Sequence, residues 1–273
     1  VAVANSNDHP IRLVLSDVDG TLLTHEKVLT ARAIKAVDGL REAGIRFAIT
    51  SARPAQALTR FIEPLRLETP LGAFNGGLIV DNRMKILAET SIDKAVAPPL
   101  LELLTSHGMD IWVYQGANWF VLNDDGPHVA HEAEGCACEP TKVSDFHGLD
   151  EGILKIVGIS DDAVVNESAG ALIKERYANE VSATQSQSYF LDVTAVEATK
   201  GHVVRYLAAT YDLDVREIAT IGDMQNDVAM FDVSGLSIAM GNALEDVQRA
   251  ADELTTSNEE EGFAHAIETF VLS

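Results

Sequence analysis

Two aspartates one residue apart stand in the string Asp17-Val18-Asp19-Gly20-Thr21, directly after a short apolar run. In an open α/β sheet, reactive groups gather beyond the carboxyl ends of the strands. Two carboxylates at i and i+2 leave such an end close together and can take different tasks. One can attack phosphorus while the other passes a proton to the leaving oxygen. Gly20 permits the tight turn that follows the pair. A second string, Gly222-Asp223-Met224-Gln225-Asn226-Asp227, also follows an apolar run. If the two preceding strands are neighbours, Asp223 and Asp227 join the first pair. Carboxylates crowded at one rim repel unless a cation sits among them. A hard, oxygen-seeking ion such as Mg²⁺ suits that donor set.

Two weaker signals accompany these. Thr50-Ser51-Ala52-Arg53-Pro54 places adjacent hydroxyls at a strand end, where one can donate to a phosphoryl oxygen and Arg53 can contact substrate. Side chains alternate along a strand, so one hydroxyl faces the site, and the spacing to Arg53 favours Ser51. Taken alone, a hydroxyl there is more often a helix N-cap. Lys200-Gly201 opens an amphipathic stretch. A lysine at a helix N-terminus opposes the macrodipole, so a nearby anion would explain it. A solvated lysine is the plain alternative.

These residues need a scaffold. Residues 11–16, 45–50 and 71–74 read as buried strands, and residues 55–65 as a helix,. Thr30 reads as the N-cap of another helix, with Ile34, Val37 and Leu40 on one face and Gly44 as its stop,. Residues 78–80 and 86–89 flank Asp81-Asn82 as a hairpin,. The alternation implies a parallel sheet with helices on both faces. It resumes later, with a helix at 200–211, a strand at 218–221, a short helix at 227–231 and a strand at 236–240. Between the halves the character changes. A helix around 100–107, strands at 111–114 and 119–122, a polar loop at 123–150, a strand at 154–159, a helix near 169–177 and strands at 182–184 and 189–193 read as an α+β insert. The expected division is 1–90 and 193–273 for the core and 91–192 for the insert.

The strings in this order resemble the haloacid dehalogenase-like (HAD) hydrolase superfamily, in particular the Cof-type phosphatases with a C2B cap. Asp17 to Thr21, Ser51-Ala52-Arg53, Lys200-Gly201 and Gly222 to Asp227 match its four motifs. Asn75-Gly76-Gly77 matches its Asn-Gly turn, and Asn258 to Ala264 looks like its acidic C-terminal loop. The resemblance implies a Rossmann-like α/β core with an inserted α+β cap. It implies that Asp17 is the nucleophile forming an aspartyl-phosphate, and that Asp19 is first general acid and then base. Ser51 and Lys200 would hold phosphoryl oxygens. Arg53, Asn75, Gly76 and Asn226 would contact substrate. Mg²⁺ would sit on the Asp17 carboxylate, the Asp19 main-chain carbonyl and Asp223, with Asn226 and Asp227 in support. The expected activity is hydrolysis of a small phosphorylated metabolite such as a sugar phosphate. A phosphomutase or phosphotransferase using the same aspartyl-phosphate, and a non-catalytic phospho-switch, are the alternatives.

Composition bounds these readings. The 273 residues include 42 acidic and 20 basic side chains, a formal net charge of −22. No Lys/Arg cluster is present to neutralise a phosphate backbone, so neither a nucleic acid nor an anionic membrane is the expected partner. No apolar run is long enough to span a membrane and no signal peptide is read. Cys136 and Cys138, one residue apart, are a spacing expected to strain a disulfide, and a reducing cytoplasm is the simplest setting,. His128, His131 and His147 with these cysteines match no standard zinc spacing,. Trp112, Tyr114 and Trp119 are expected to pack, and Glu259-Glu260-Glu261 to be a solvated run,. The substrate and the oligomeric state are not legible.

Overall fold

The computed structural model describes residues 9–136, 138–149 and 151–273. Its first part runs Leu13–Ser16 (β1), Ala31–Glu42 (α1), Arg46–Ile49 (β2), Ala55–Leu65 (α2), Leu71–Ala73 (β3), Leu78–Val80 (β4) and Ile86–Glu89 (β5). The middle runs Ala97–Ser106 (α3), Asp110–Gln115 (β6), Asn118–Val121 (β7), Val129–Cys136 (α4), Thr141–Lys142 (β8), Ile153–Ile159 (β9), Ala163–Tyr177 (α5), Val181–Gln187 (β10) and Phe190–Ala195 (β11). The last part runs Lys200–Tyr211 (α6), Ile218–Gly222 (β12), Val228–Phe231 (α7), Leu236–Ala239 (β13), Glu245–Ala250 (α8), Glu253–Leu254 (β14) and Gly262–Ala266 (α9).

The core sheet is parallel, in the order β14-β13-β12-β1-β2. A parallel bridge between Thr50 and Gly72 sets β3 beside β2. From β1 the chain steps outward to β2 and β3. It later returns to the other side of β1 with β12 and steps outward again. The direction of travel therefore reverses between β1 and β12, and the crevice at such a reversal is where open α/β sheets bind ligands.

All four residues of β1 are buried, as a central parallel strand covered on both faces requires,. Its side chains alternate. Val14, with Phe47, Ile49 and Ile221, packs with Val37 of α1, Leu58 of α2 and Phe263 of α9. Leu13 and Leu15, with Ala48, pack with Val203 and Leu207 of α6 and Phe231 of α7. Thr30 caps α1 by accepting from the Ala33 N–H at 3.1 Å, as its sequence position suggested,.

The middle segment forms a six-stranded sheet in the order β10-β11-β9-β6-β7-β8. One face is covered by its own helices, with Ile111, Val113, Ile156 and Val193 under Leu100 and Leu104 of α3 and Ile173 of α5. The opposite face carries Trp112, Tyr114, Trp119 and Phe190, which share a cluster with Phe61 and Phe74 of the core. The cap therefore lies on the core through its bare sheet face.

Several readings change. The stretch 123–150 is not all loop, because α4 and β8 lie within it. The α5 helix begins at Ala163, where the Asp162 carboxylate accepts from the Val164 N–H, well before residue 169. Its first turns, Ala163 to Ser168, carry no continuous apolar stripe, so periodicity missed them,. Cys136 and Cys138 are joined in a disulfide, against the expectation from their spacing. Their Cα atoms lie 5.2 Å apart, within the usual range for such a bond,. That removes the cysteine-based reason for placing the protein in a reducing compartment. Among the described residues no helix is long and apolar enough to cross a membrane.

Candidate active site

Strand parity builds the centre of the site. Leu13, Leu15 and then Asp17 alternate toward α6, and the Asp17 N–H still pairs with the Ile221 carbonyl of β12 at 2.9 Å. Lys200 opens α6, and Thr199 caps that helix by accepting from the His202 N–H. The Lys200 ammonium lies 2.6 Å from Asp17 Oδ1 and 2.5 Å from Asp227 Oδ1, with the residue only 1% exposed. These two carboxylates account for a lysine that opposes its own helix dipole.

The loop after β12 is folded around Asp227. Its Oδ2 accepts the N–H groups of Asp223 and Met224 at 2.9 and 2.8 Å. Asp223 is held from the other side, where Thr21 donates to its Oδ1 at 3.1 Å and Asn242 to its Oδ2 at 3.3 Å. Gly20 sits between, at φ +83°, and a Cβ there would lie 2.3 Å from Asp223 Oδ2. The turn thus demands glycine for conformation and for space.

Asp17, Asp223 and Asp227 each offer an oxygen within 4.8 Å of the others. Asp17 Oδ2 is buried and has no hydrogen-bond partner among the described residues. Buried polar atoms are nearly always satisfied, so an unpartnered carboxylate oxygen among acidic neighbours fits a cation-binding role. Asp227 already faces the Lys200 ammonium with one oxygen and two backbone N–H groups with the other, whereas each Asp223 oxygen accepts one neutral donor, at 3.1 and 3.3 Å, so Asp17 Oδ2 and Asp223 keep the most acceptor capacity for a cation. Burial, followed by repulsion from Asp227 and Asp223 and opposed by Lys200, pushes the Asp17 pKa up to about 8. Burial and Asp227 push that of Asp223 up to about 6 against the Thr21 hydrogen bond. Burial pulls Lys200 down, but Asp17 and Asp227 together hold it above the ordinary lysine value.

Asp19 stands apart from this group. Arg53 donates to both its oxygens at 2.6 Å, and Lys27 donates to Oδ1 at 2.8 Å. Burial would raise its pKa, yet these cations outweigh it and hold the carboxyl below its usual value. Ser51 Oγ accepts from the Arg53 N–H at 3.2 Å. Thr50 lies on the α6 side of the sheet, where its Oγ1 sits against Gly72 without a partner among the described residues. Asn75, at φ 56°, donates its N–H to the Ser51 carbonyl and accepts from Asn226 Nδ2 at 2.9 Å. Gly76, at φ +97°, lies where a Cβ would meet the Thr199 carbonyl at 2.4 Å.

A family model for haloacid dehalogenase-like hydrolases matches residues 14–267. The chain belongs to that family. Among curated relatives, the 5-amino-6-(5-phospho-D-ribitylamino)uracil phosphatase YwtE of Bacillus subtilis is 26% identical, covering 94% of this chain and 97% of its own. The pyridoxal phosphate phosphatase YbhA of Escherichia coli is 23% identical, covering 96% and 99%. A crystal structure of a haloacid dehalogenase-like hydrolase from Bacteroides thetaiotaomicron is 28% identical and superposes with a TM-score of 0.84, covering 94% of this chain and 98% of that one.

In this haloacid dehalogenase-like hydrolase, the structure brings Asp17, Lys200, Asp223 and Asp227 into one contact group. It gathers Asp19 with Arg53, and Asn75 with Asn226, at its edge. Sequence reasoning missed Lys27, which pairs with Asp19, and Asn242, which bonds the Gly20 carbonyl at 2.9 Å as well as Asp223. The signal for Asn242 was Gly241-Asn242 at the end of a strand, the same placement as the motifs. The acidic run 259–261 is not simply solvated. Glu259 accepts from the His25 N–H and Glu261 from the Thr30 hydroxyl, tying the C-terminal loop to the segment that leads into α1. Among the described residues the cap histidines and cysteines do not come together as a metal-binding group. The cysteines are bonded to each other, while His128 stacks on Tyr189 and pairs with Asp161.

Proposed function

We propose that the protein hydrolyses the phosphoric monoester of a small hydroxylated metabolite, with Mg²⁺, through an aspartyl-phosphate on Asp17. Hydrolysis of phosphoric monoesters is the activity its curated relatives are named for, on a ribityl phosphate and on pyridoxal phosphate. The observation that carries the reading is the free Oδ2 of Asp17, buried at the crevice between β1 and β12 beside a fully enclosed lysine.

In this reading one carboxylate oxygen of Asp17 attacks phosphorus and the P–O bond to the leaving group breaks, while the other oxygen would serve the cation. Asp19 delivers the proton to the departing oxygen, then takes one from the water that cleaves the aspartyl-phosphate and releases inorganic phosphate. Phosphoryl transfer asks chiefly for position and charge neutralisation. Lys200 supplies a fixed positive charge, held by Asp17 and Asp227. Ser51 offers its hydroxyl proton, since its oxygen accepts from the Arg53 N–H. Mg²⁺, on Asp17 and Asp223, would neutralise phosphoryl charge and bring the substrate's oxygens into line. Asp17 is only 5% exposed under the cap, so substrate reaches it when the cap swings away, and closure then excludes water,.

The test is release of inorganic phosphate from a panel of phosphate esters with and without Mg²⁺, using wild type and Asp17→Asn. Metal-dependent release that disappears in the variant supports the reading. Retained turnover by a folded Asp17→Asn protein would overturn the nucleophile assignment.

A further inference from the structure

The cap sheet meets the core with a mostly aromatic face, and one row across that face is polar. Strand register sets Tyr114 of β6 beside Lys155 of β9, and Lys155 beside Thr194 of β11. Asp192 follows on the same strand and face as Thr194, and its Oδ2 lies 3.3 Å from the Lys155 ammonium. Both residues are nearly enclosed, Lys155 at 8% and Asp192 at 7% exposed. The ammonium reaches toward the core, 5.9 Å from the centre of the Phe74 ring and 5.3 Å from that of Tyr114.

A buried ion pair holds only when its remaining hydrogen-bonding capacity is met. Here it is not, because Asp192 Oδ1 is buried without a partner among the described residues. Across the seam, Phe74 leads directly into Asn75, which is bonded to Asn226, and Asn226 Oδ1 is likewise buried without a partner. One unmet acceptor thus belongs to the cap ion pair whose lysine reaches toward Phe74, and the other stands on the core beside Asn75. Stability alone does not call for this arrangement, since replacing a buried ion pair by well-packed apolar side chains is often neutral or stabilising.

We infer that Lys155 and Asp192 form a leaving-group subsite that reads vicinal hydroxyls of a polyol or sugar phosphate. One hydroxyl donates to Asp192 Oδ1 while its neighbour accepts from Lys155, and a further hydroxyl donates to Asn226 Oδ1. The pair carries no net charge, so it selects hydroxylated, uncharged leaving groups over aromatic or anionic ones. This inference rests on the phosphatase reading and names the substrate class for that same site.

The experiment compares kcat/KM for sorbitol 6-phosphate and for phenyl phosphate, with Mg²⁺, in wild type, Asp192→Asn and Lys155→Met. Thermal shifts produced by each ester are measured alongside. A site built to hydrogen-bond substrate hydroxyls discriminates strongly when one partner is removed, so the loss on sorbitol 6-phosphate should exceed that on phenyl phosphate by about 10-fold or more, mostly in KM. Parallel losses on both esters would show a purely structural pair and overturn the subsite, as would equal wild-type efficiency on both. Wild type that turns over neither ester, yet is stabilised by sorbitol 6-phosphate in an Asp192-dependent way, would overturn the phosphatase reading and keep the subsite. Neither turnover nor stabilisation would overturn both.

Discussion

Arg53 grips both carboxylate oxygens of Asp19, Nε on Oδ2 and Nη2 on Oδ1, each at 2.6 Å. The same guanidinium donates to the Gly135 carbonyl at 3.4 Å, so it links the proposed acid–base residue to the end of α4 in the cap. The grip keeps Asp19 ionised, the state suited to activating water,. Donation to a leaving group needs a proton on Asp19, which the grip opposes. Replacing Arg53 by Gln should therefore raise the Asp19 pKa toward its burial-driven value. Carboxyl ¹³C shifts of Asp19 followed against pH would report the rise. An unchanged Asp19 titration would show that Lys27 alone suffices.

Lys200→Met removes the cation shared by Asp17 and Asp227. Breaking a buried pair from one side leaves uncompensated charge and typically costs about 3–5 kcal/mol. The expected result is a clearly lower Tm together with loss of turnover. Part of the Tm loss should return on adding Mg²⁺, because a divalent ion can neutralise the same carboxylates. A Tm equal to that of wild type would contradict the enclosed ion-pair geometry.

The pH dependence has a definite sign. Asp17 and Asp223, at about 8 and about 6, titrate higher in the folded chain than the ordinary value of 3.8. Protons thus bind the folded state more tightly, and this contribution to stability is complete below 3.8 and lost as pH rises through about 8,. The metal-free protein should lose stability from this source between those limits. A cation displaces the same protons, so the Tm gain from Mg²⁺ should grow between pH 5 and 8. Scanning calorimetry with and without the metal measures it, and a gain that shrinks with rising pH would contradict the donor assignment.

Gly20→Ala combines an unfavourable φ with a Cβ 2.3 Å from Asp223 Oδ2. Asp223 cannot stay where Thr21 and Asn242 hold it. Left-handed backbone strain of about 1–3 kcal/mol adds to the displacement. The expected variant is folded, less stable, and weakened in Mg²⁺ affinity more than Gly44→Ala, where φ is also positive but no atom lies within 4 Å. Titration calorimetry with Mg²⁺ on both variants separates strain from displacement.

Much of the core was legible because its signals are local. Helix bounds at 55–65 and 200–211 followed from apolar spacing and flanking residues, and the structure reproduces them. The reading of Asp17, Asp223 and Lys200 as one site rested on strings that each end a strand or open a helix. The cap was less legible. The start of α5 has no apolar stripe, and α4 sits in a stretch whose polar composition reads as loop. The Cys136–Cys138 bond depends on the 5.2 Å approach of their Cα atoms, which composition does not encode.

By itself the sequence determined the chemistry available: paired carboxylates after a strand, a second acidic string, a helix-opening lysine and a core interrupted by an insert. Those follow from residue type and short-range periodicity. Tertiary structure alone decided which of these groups touch. Strand order placed β12 beside β1, so Lys200 meets Asp17 and Asp227 across 183 and 27 residues of chain. The same packing diverted Asp19 to Arg53 and set Lys155 and Asp192 over Phe74. Side-chain pairing between distant segments depends on register and on the layers that cover each face, and neither is carried by any local stretch of residues.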